Sequence, residues 1–265
     1  MGSHAAAPRR RRTAVLLATV GFGVLGAVAV AGSLAFAAIG AADDARGPAS
    51  PKAPATAAPQ PSTADDGIDV APESTATPMS ALADTAWVSR VASAAGIPER
   101  ALAAYAGATL RVTSERPACG LSWNTLAGIG SVESEHGTID GSALDAAGVA
   151  VPPIVGIALD GGGVDAIGDT DGGALDGDAT WDRAVGPMQF IPSTWSTHGV
   201  DGDGDGRADP QNIDDAVLSA AYYLCDTGVD LATPAGWIAA VSAYNSSIEY
   251  NNRVAAVADV YATVG

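Results

Sequence analysis

Residues 121–137 read LSWNTLAGIGSVESEHG, and this stretch decides how the rest of the chain is interpreted. After Ser122, a residue type that caps helices, small and apolar residues recur at helical spacing. On such a helix Glu133 falls on the broad apolar face, whereas Glu135 points the other way. The pattern therefore predicts a helix that holds one carboxyl among apolar neighbours.

A carboxyl in apolar surroundings has its charged form disfavoured, so we expect the pKa of Glu133 to be raised. A raised pKa keeps a carboxyl protonated near neutral pH, which is the state that a general acid needs. The alternative is structural, because ion pairs and turn caps also perturb carboxyl pKa values. Glu135 is expected to be a solvated surface charge.

Five further helices are expected from apolar periodicity and from Pro and Gly punctuation. The predicted ranges are 81–95, 98–113, 212–226, 234–244 and 248–264. The sequence shows no strand pairs with hairpin signals and no internal repeat. The predicted fold class is therefore mainly α.

Residues 138–180 differ in composition from the predicted helices: Gly and Asp dominate, and apolar residues do not recur at helical spacing. Long irregular segments inside a compact domain are usually functional loops or disordered. The acids of this Gly/Asp-rich loop could be solvated, bind a cation or line a groove, and we slightly favour the groove wall.

The N-terminal part of the chain has the pattern of a targeting segment. Arg9–Arg12 precede the uncharged run 13–42, which is long enough to span a bilayer. Residues 1–42 are predicted to be a signal anchor that leaves the C-terminal part outside, with a cleaved signal peptide as the alternative. The Pro- and Ala-rich residues 43–80 are predicted to be a disordered linker, and residues 81–265 the folded domain.

The chain carries a formal net charge of −17, and the first 80 residues are balanced, so the folded part carries the excess acid. An acidic domain lacks the basic footprint of a nucleic-acid-binding protein. We therefore expect no nucleic-acid partner, and we expect a monomer.

The two cysteines, Cys119 and Cys225, lie in the part of the chain that export would place outside. An even count in an exported chain favours a disulfide over two buried thiols. This disulfide would tie the beginning of the Glu133 helix to a later helix.

Two further stretches carry polar groups beside aromatic residues. Residues 186–195 read GPMQFIPSTW, and residues 243–253 read AYNSSIEYNNR. Amides and hydroxyls next to aromatic rings suit a sugar site, although packed turns and buried hydrogen bonds would explain the same pattern. The candidate substrate-binding residues are Gln189, Ser193, Tyr244, Asn245 and Tyr250.

Taken together and in this order, the three stretches resemble the lytic transglycosylase B family of bacterial cell walls, in its actinobacterial form. The motifs are Val132-Glu133-Ser134, the QF-x-PS segment that begins at Gln189, and Ala243-Tyr244-Asn245 followed by Tyr250. The resemblance covers roughly residues 81–265. It implies a lysozyme-like, SLT-type α fold with the Gly/Asp-rich loop as a long irregular insertion.

The resemblance also implies an activity, namely cleavage of peptidoglycan between N-acetylmuramic acid and N-acetylglucosamine without water. Glu133 would act alone, first as the acid and then as the base that closes a 1,6-anhydro ring. One runner-up is a hydrolytic muramidase that takes a second carboxylate from the irregular loop, for instance Asp171 or Asp182. The other is a wall-binding module without activity.

Residues 201–212 read DGDGDGRADPQN, which is the spacing of a calcium loop. The carboxylates at positions 1, 3, 5 and 9 and the backbone carbonyl at position 7 are the predicted ligands. Position 12 departs from the pattern, because Asn212 replaces the usual Glu, and Asp214 or Asp215 would have to reach in. A structural Ca²⁺ is expected, held by Asp201, Asp203, Asp205, Arg207 and Asp209, and the alternative is a solvated acidic turn. A calcium-dependent adhesion domain has only this loop in its favour.

Overall fold

The computed structural model describes Lys52, Ala53, Gln60 and residues 77–264. The predicted signal anchor, residues 1–42, lies outside the described residues, as does most of the predicted linker, residues 43–80. In the part that is described, no helix has the length and apolar character needed to cross a membrane.

The described chain is mainly helical, which confirms the predicted fold class. Seven α-helices form: α1 Thr85–Ala95, α2 Glu99–Glu115, α3 Trp123–Ser134, α4 Pro192–His198, α5 Ile213–Asp226, α6 Pro234–Tyr244 and α7 Ile248–Tyr261. The bounds of α6 are those predicted, whereas α7 ends before the predicted residue 264.

The first predicted helix, 81–95, is divided in the structure. A 3-10 turn covers Met79–Leu82, and α1 begins only at Thr85. The cause is local: the Asp84 side chain accepts a hydrogen bond of 2.7 Å from the backbone N–H of Trp87. This bond satisfies a free donor at the helix start and fixes the N-terminus of α1 there.

In the described chain, Met79 precedes the predicted domain boundary at residue 81 and already packs in the core. Met79 is fully buried, and its backbone N–H donates to the carbonyl of Gly202 at 3.0 Å. A Cβ at Gly107 of α2 would lie 2.2 Å from the carbonyl oxygen of Met79, so only glycine allows this close approach. The segment ahead of α1 is therefore part of the core.

Helix α3 is the central element, packed against both α2 and α7. The sequence predicted one buried face, but every residue from Trp123 to Gly130 is buried. Small residues permit this enclosure. A Cβ at Gly128 would lie 3.1 Å from the carbonyl oxygen of Val254, and one at Gly130 would lie 2.0 Å from the hydroxyl of Tyr105.

The expectation of no strand pairs was wrong. Two small antiparallel pairs form, β1 Ala143–Leu144 with β2 Ala150–Val151, and β3 Val155–Ala158 with β4 Arg183–Val185. The strands have two to four residues each, too few to show an alternating pattern. The partners β3 and β4 are also separated by most of the irregular loop, so no hairpin signal joins them.

The predicted disulfide is confirmed. Cys119 and Cys225 are bonded, with their Cα atoms 5.4 Å apart. Cys119 lies just ahead of α3, and Cys225 lies in the last turn of α5. The bridge therefore fixes the beginning of the central helix on α5.

One buried ion pair joins α2 to α5. The Arg100 guanidinium donates to both carboxylate oxygens of Asp214, at 2.9 and 2.7 Å, and Ser80 Oγ donates to the same carboxylate at 3.0 Å. The Asp214 side chain is fully buried. A charge in that position requires its partner, because an uncompensated buried carboxylate is costly.

Replacing Arg100 by Gln should lower the free energy of unfolding by about 3 kcal/mol, because it leaves the Asp214 carboxylate buried without a counter-charge. The matched control is Arg111→Gln, since Arg111 makes an exposed pair with Glu115 at 3.6 Å. The control should change stability by less than about 0.5 kcal/mol. Urea unfolding at pH 7 measures both, and equal losses would contradict the assignment.

Candidate active site

Glu133 lies in the last turn of α3, with its side chain half-buried. Its Oε1 accepts a hydrogen bond of 2.6 Å from the Tyr250 hydroxyl. Tyr250 is buried in the first turn of α7. The contact joins two helices that are more than one hundred residues apart in the sequence.

Burial raises the pKa of Glu133 from 4.5 to about 7, as the sequence led us to expect. Two groups oppose this shift: the hydrogen bond from Tyr250 and the positive charge of Arg253 both lower the pKa. The balance leaves a carboxyl that is substantially protonated near neutral pH. It is able to give up a proton and, once ionised, to take one back.

Glu135 lies just past the end of α3 and is exposed to solvent. Its backbone is left-handed, with φ of 52°, and its N–H closes the last turn by donating to the carbonyls of Gly130 and Ser131. Its exposure agrees with the expected solvated surface charge.

His136 is buried between two tyrosines, an arrangement that the sequence analysis missed. Its Nδ1 lies 3.1 Å from the Tyr105 hydroxyl, and its Nε2 lies 2.9 Å from the Tyr261 hydroxyl. Burial lowers the pKa of His136 to about 4, so the ring is neutral at pH 7. This chain of three rings joins α2 and α7 to the segment directly after Glu133.

Ser134 connects the end of α3 to the predicted Gln189 segment. Its Oγ donates to the carbonyl of Pro187 at 2.6 Å and accepts from the N–H of Gly137 at 2.8 Å. The Val132-Glu133-Ser134 motif thus contributes the acid and the residue that anchors the neighbouring loop.

Gln189 is half-buried and has a left-handed backbone, with φ of 51°. Its Nε2 donates to the carbonyl of Gly186 at 3.0 Å. Its Oε1 faces Gly156 of β3, where an added Cβ would come within 3.0 Å of that oxygen. The amide is therefore positioned by its own loop and by the small sheet.

Tyr244 at the end of α6 holds the same loop from the other side. Its hydroxyl donates to the carbonyl of Met188 at 2.7 Å, and its ring contacts Phe190 edge-on. Burial and the nearby charge of Glu133 raise the Tyr244 pKa well above its ordinary value. The structure thus brings Glu133, Tyr244 and Tyr250 together with residues 186–191, which we call the Gln189 loop.

Asn245 and Ser193, the other two predicted substrate-binding residues, have no contact with Glu133 in the described chain. Asn245 is fully buried, its Oδ1 accepts from the N–H of Ser247 at 2.9 Å, and its Nδ2 has no hydrogen-bond partner among the described residues. Ser193 is half-buried in the first turn of α4, where its carbonyl accepts from the Ser196 hydroxyl. No contact in the described chain joins either side chain to Glu133.

The irregular loop holds its candidate second carboxylates within itself. Asp182 is fully buried, and its two oxygens accept from the N–H and the hydroxyl of Thr170, at 2.8 and 2.7 Å. Asp171 accepts from three backbone N–H groups of the same loop. Together with Asp169 these residues form a compact acidic group.

The predicted calcium loop brings three carboxylates together. Oxygens of Asp201, Asp203 and Asp215 lie within 4.8 Å of one another. The buried Asp215 accepts from the N–H of Gly202 at 2.7 Å and from the N–H of Asp209 at 2.8 Å. Burial raises the Asp215 pKa to about 7, because it disfavours the charged carboxylate. A cation bound at this position would favour the charged form again.

Asp215 is thus the acid that reaches into the loop, whereas Asp214 is bound to Arg100. Asn212 turns away from a ligand role, because its Nδ2 donates to Asp203 at 2.6 Å and its Oδ1 caps α5. Asp205 and Asp209 are not part of the group of three. Hard oxygens of this kind fit Ca²⁺.

The end of this loop is joined to the Gln189 loop. A Cβ at Gly186 would lie 1.7 Å from the carbonyl oxygen of Pro210, so the two backbones are in contact. The Gln211 side chain pairs with both backbone groups of Ile154, at 2.9 and 2.8 Å, and Ile154 also accepts from the N–H of Gly186. The acidic loop, residues 201–212, is therefore in direct contact with the backbone that leads to Gln189.

Comparison with known proteins gives one family. A family model described as the transglycosylase SLT domain matches residues 168–253, which include the Gln189 loop, the acidic loop and Tyr244–Tyr250 but not Glu133. The searches of curated proteins and of solved structures returned no match. The match supports a transglycosylase-type enzyme with a lysozyme-like domain that acts on peptidoglycan outside the cytoplasm.

Glu133→Gln should stabilise the protein above pH 7 and have little effect below pH 4.5. Between its unfolded pKa of 4.5 and its folded pKa of about 7, only the folded state retains the proton, so stability falls as the pH rises through this window. The difference corresponds to roughly 3 kcal/mol, which the neutral amide recovers.

Thermal unfolding at pH 4 and pH 8 measures this effect. Glu135→Gln is the matched control, because its carboxyl is solvated, and it should show no comparable dependence on pH. A Glu133→Gln protein that gains nothing at pH 8 would show that the wild-type carboxyl ionises freely.

Proposed function

We propose that the domain is a lytic transglycosylase of the B-like, actinobacterial type. It would cleave the β-1,4 bond between N-acetylmuramic acid and N-acetylglucosamine and leave a 1,6-anhydro end. The observation that carries the proposal is the half-buried Glu133, whose pKa is raised to about 7 and whose carboxyl is held by the Tyr250 hydroxyl at 2.6 Å.

In the first step, protonated Glu133 gives its proton to the glycosidic oxygen as the bond to the muramoyl C1 breaks. The N-acetyl group of the same sugar stabilises the cationic centre. In the second step, the Glu133 carboxylate takes the proton of the C6 hydroxyl while that oxygen bonds to C1. Glu133 thus donates one proton and takes one back, and no water molecule takes part in the reaction.

Tyr250 supports both steps in this proposal. Its hydroxyl orients the carboxyl and stabilises the ionised form that acts as the base. Burial favours the protonated form that acts as the acid. A pKa near neutrality lets the same group serve in both directions.

The remaining substrate contacts are proposals from the resemblance. Gln189, Ser193, Tyr244 and Asn245 would position the sugars together with Tyr250. Of these, Gln189 and Tyr244 have the better structural support, because both belong to the group of residues around Glu133. The muramidase alternative has less structural support, because the carboxylate oxygens of Asp171 and Asp182 already accept hydrogen bonds from the irregular loop itself.

We also propose a structural Ca²⁺ in the acidic loop. Asp201, Asp203, Asp205 and Asp209 would supply oxygens with the carbonyl of Arg207, and Asp215 would take the place of the usual twelfth-position Glu. The ion would fix the backbone that touches Gly186 and thereby the Gln189 loop. The N-terminal segment is proposed to anchor the domain at the membrane or to release it into the wall.

Purified sacculi digested with the protein should yield muropeptides that end in anhydro-muramoyl residues, lighter by one water than reducing ends. Mass spectrometry distinguishes the two products. Glu133→Gln should lower the release by at least about a thousandfold, whereas Glu135→Gln should retain most of it.

Reducing ends would establish the muramidase. Binding of sacculi without any release, in the wild type as well, would establish the wall-binding module. Equal losses in the two variants would remove Glu133 from its proposed role.

Ca²⁺ should raise the unfolding temperature, because an ion bound only by the folded state stabilises it by mass action. Asp203→Ala should abolish the increment, while Asp165→Ala, which removes an exposed charge of the irregular loop, should keep it. Calorimetric scans in calcium and in a chelator provide the test. Identical scans would exclude a structural ion.

A further inference from the structure

We infer that Arg253 is an anion-recognition residue at the edge of the active site, and that it binds a carboxylate on the muramoyl substituent of the glycan. The inference rests on the proposed function for its substrate class. It adds a specificity-determining contact that neither the motifs nor the family match identifies.

Arg253 lies on α7, three residues after Tyr250, which places the two residues on neighbouring positions of one helix side. Its side chain is exposed. Its charge acts on Glu133 and also on Tyr250. The guanidinium is therefore open to solvent and electrostatically coupled to both groups of the proposed catalytic pair.

Most arginines of the described chain already have an acidic partner. Arg100, Arg111, Arg116 and Arg183 each form an ion pair with a carboxylate. Arg253 forms no ion pair or hydrogen bond with the described residues, although the domain carries a large excess of acids. Arg90 and Arg207 are also unpaired there, but neither acts on Glu133.

A free cation next to a proton donor works against it, because it favours the ionised carboxyl. A substrate carboxylate on Arg253 would cancel that influence. Binding of the correct glycan would then return Glu133 toward its protonated state. Arginine suits this task, since its planar fork matches a carboxylate with two parallel hydrogen bonds.

Two parts of peptidoglycan offer the required chemistry. The lactyl group of N-acetylmuramic acid carries a carboxylate in strands without peptide, and the peptide stem carries carboxylates when it is present. Chitin oligosaccharides have the same β-1,4 backbone and no carboxylate. These three ligands separate the possible sources.

The experiment measures binding to the full-length protein in the Glu133→Gln background, so that no cleavage is required. Stem-bearing strands, amidase-stripped strands and chitin oligosaccharides are titrated against this protein and against its Arg253→Gln, Arg253→Lys and Arg90→Gln derivatives. Arg253→Gln should weaken the binding of carboxylate-bearing strands about tenfold. Arg253→Lys should recover part of the loss, and Arg90→Gln should match its parent.

A loss confined to stem-bearing strands assigns the stem carboxylate, a loss confined to amidase-stripped strands assigns the lactyl carboxylate, and an equal loss for both shows that Arg253 binds either carboxylate. A loss that extends equally to chitin oligosaccharides, or no loss for any ligand, overturns the inference. If sacculi are bound but never cleaved by the wild type, the proposed reaction fails while this binding test still stands.

The pH profile gives a second readout in the active enzyme. Arg253→Gln should move the alkaline limb of kcat/KM to higher pH, because the free enzyme loses the cation that lowers the Glu133 pKa. Tyr244 and Tyr250, the other titratable groups coupled to Glu133, are unchanged in this variant. An unmoved limb would show that Arg253 does not influence the acid.

Discussion

The hydrogen bond between Tyr250 and Glu133 is the interaction on which the site depends. Burial alone would hold the carboxyl in its protonated form, and full solvation would leave it ionised. The hydrogen bond of 2.6 Å from this hydroxyl and the charge of Arg253 both lower the pKa against the effect of burial, which leaves it at about 7. The same bond fixes the last turn of α3 against the first turn of α7, so the chemistry of the acid and the packing of two helices are coupled.

Two sets of hydrogen bonds surround this pair. Ser134 and Tyr244 bind the carbonyls of Pro187 and Met188 and so align the Gln189 loop with the end of α3. The neutral His136 joins Tyr105 and Tyr261 behind the acid. Each contact joins segments that are distant in the sequence, so the site forms only when these segments have packed together.

The acidic loop, residues 201–212, contacts the backbone close to the site. Its three clustered carboxylates repel one another, yet its end contacts the backbone at Gly186, just ahead of Gln189. The proposed cation would offset this repulsion and would stabilise the loop and, through the contact at Gly186, the backbone ahead of Gln189.

The sequence predicted those features that are encoded locally. Helix ranges followed from periodicity and caps, and the pairing of Cys119 with Cys225 followed from an even count in an exported chain. Contacts between distant segments were not predictable, as with His136 between its tyrosines. The sequence also could not show whether Asp214 or Asp215 reaches into the calcium loop. Neighbouring residues of a helix point about 100° apart, and only the packed position of α5 decides which of the two faces the loop.

The Cys119–Cys225 bridge has a consequence for where the protein matures. Thiols stay reduced in an ordinary cytosol, so a domain exported as proposed would form this covalent link only after translocation. One of its two ends adjoins the start of α3, the helix that carries the proton donor. Before export such a chain would lack the disulfide, and the position of α3 on α5 would become covalently fixed only in the compartment that contains the proposed substrate.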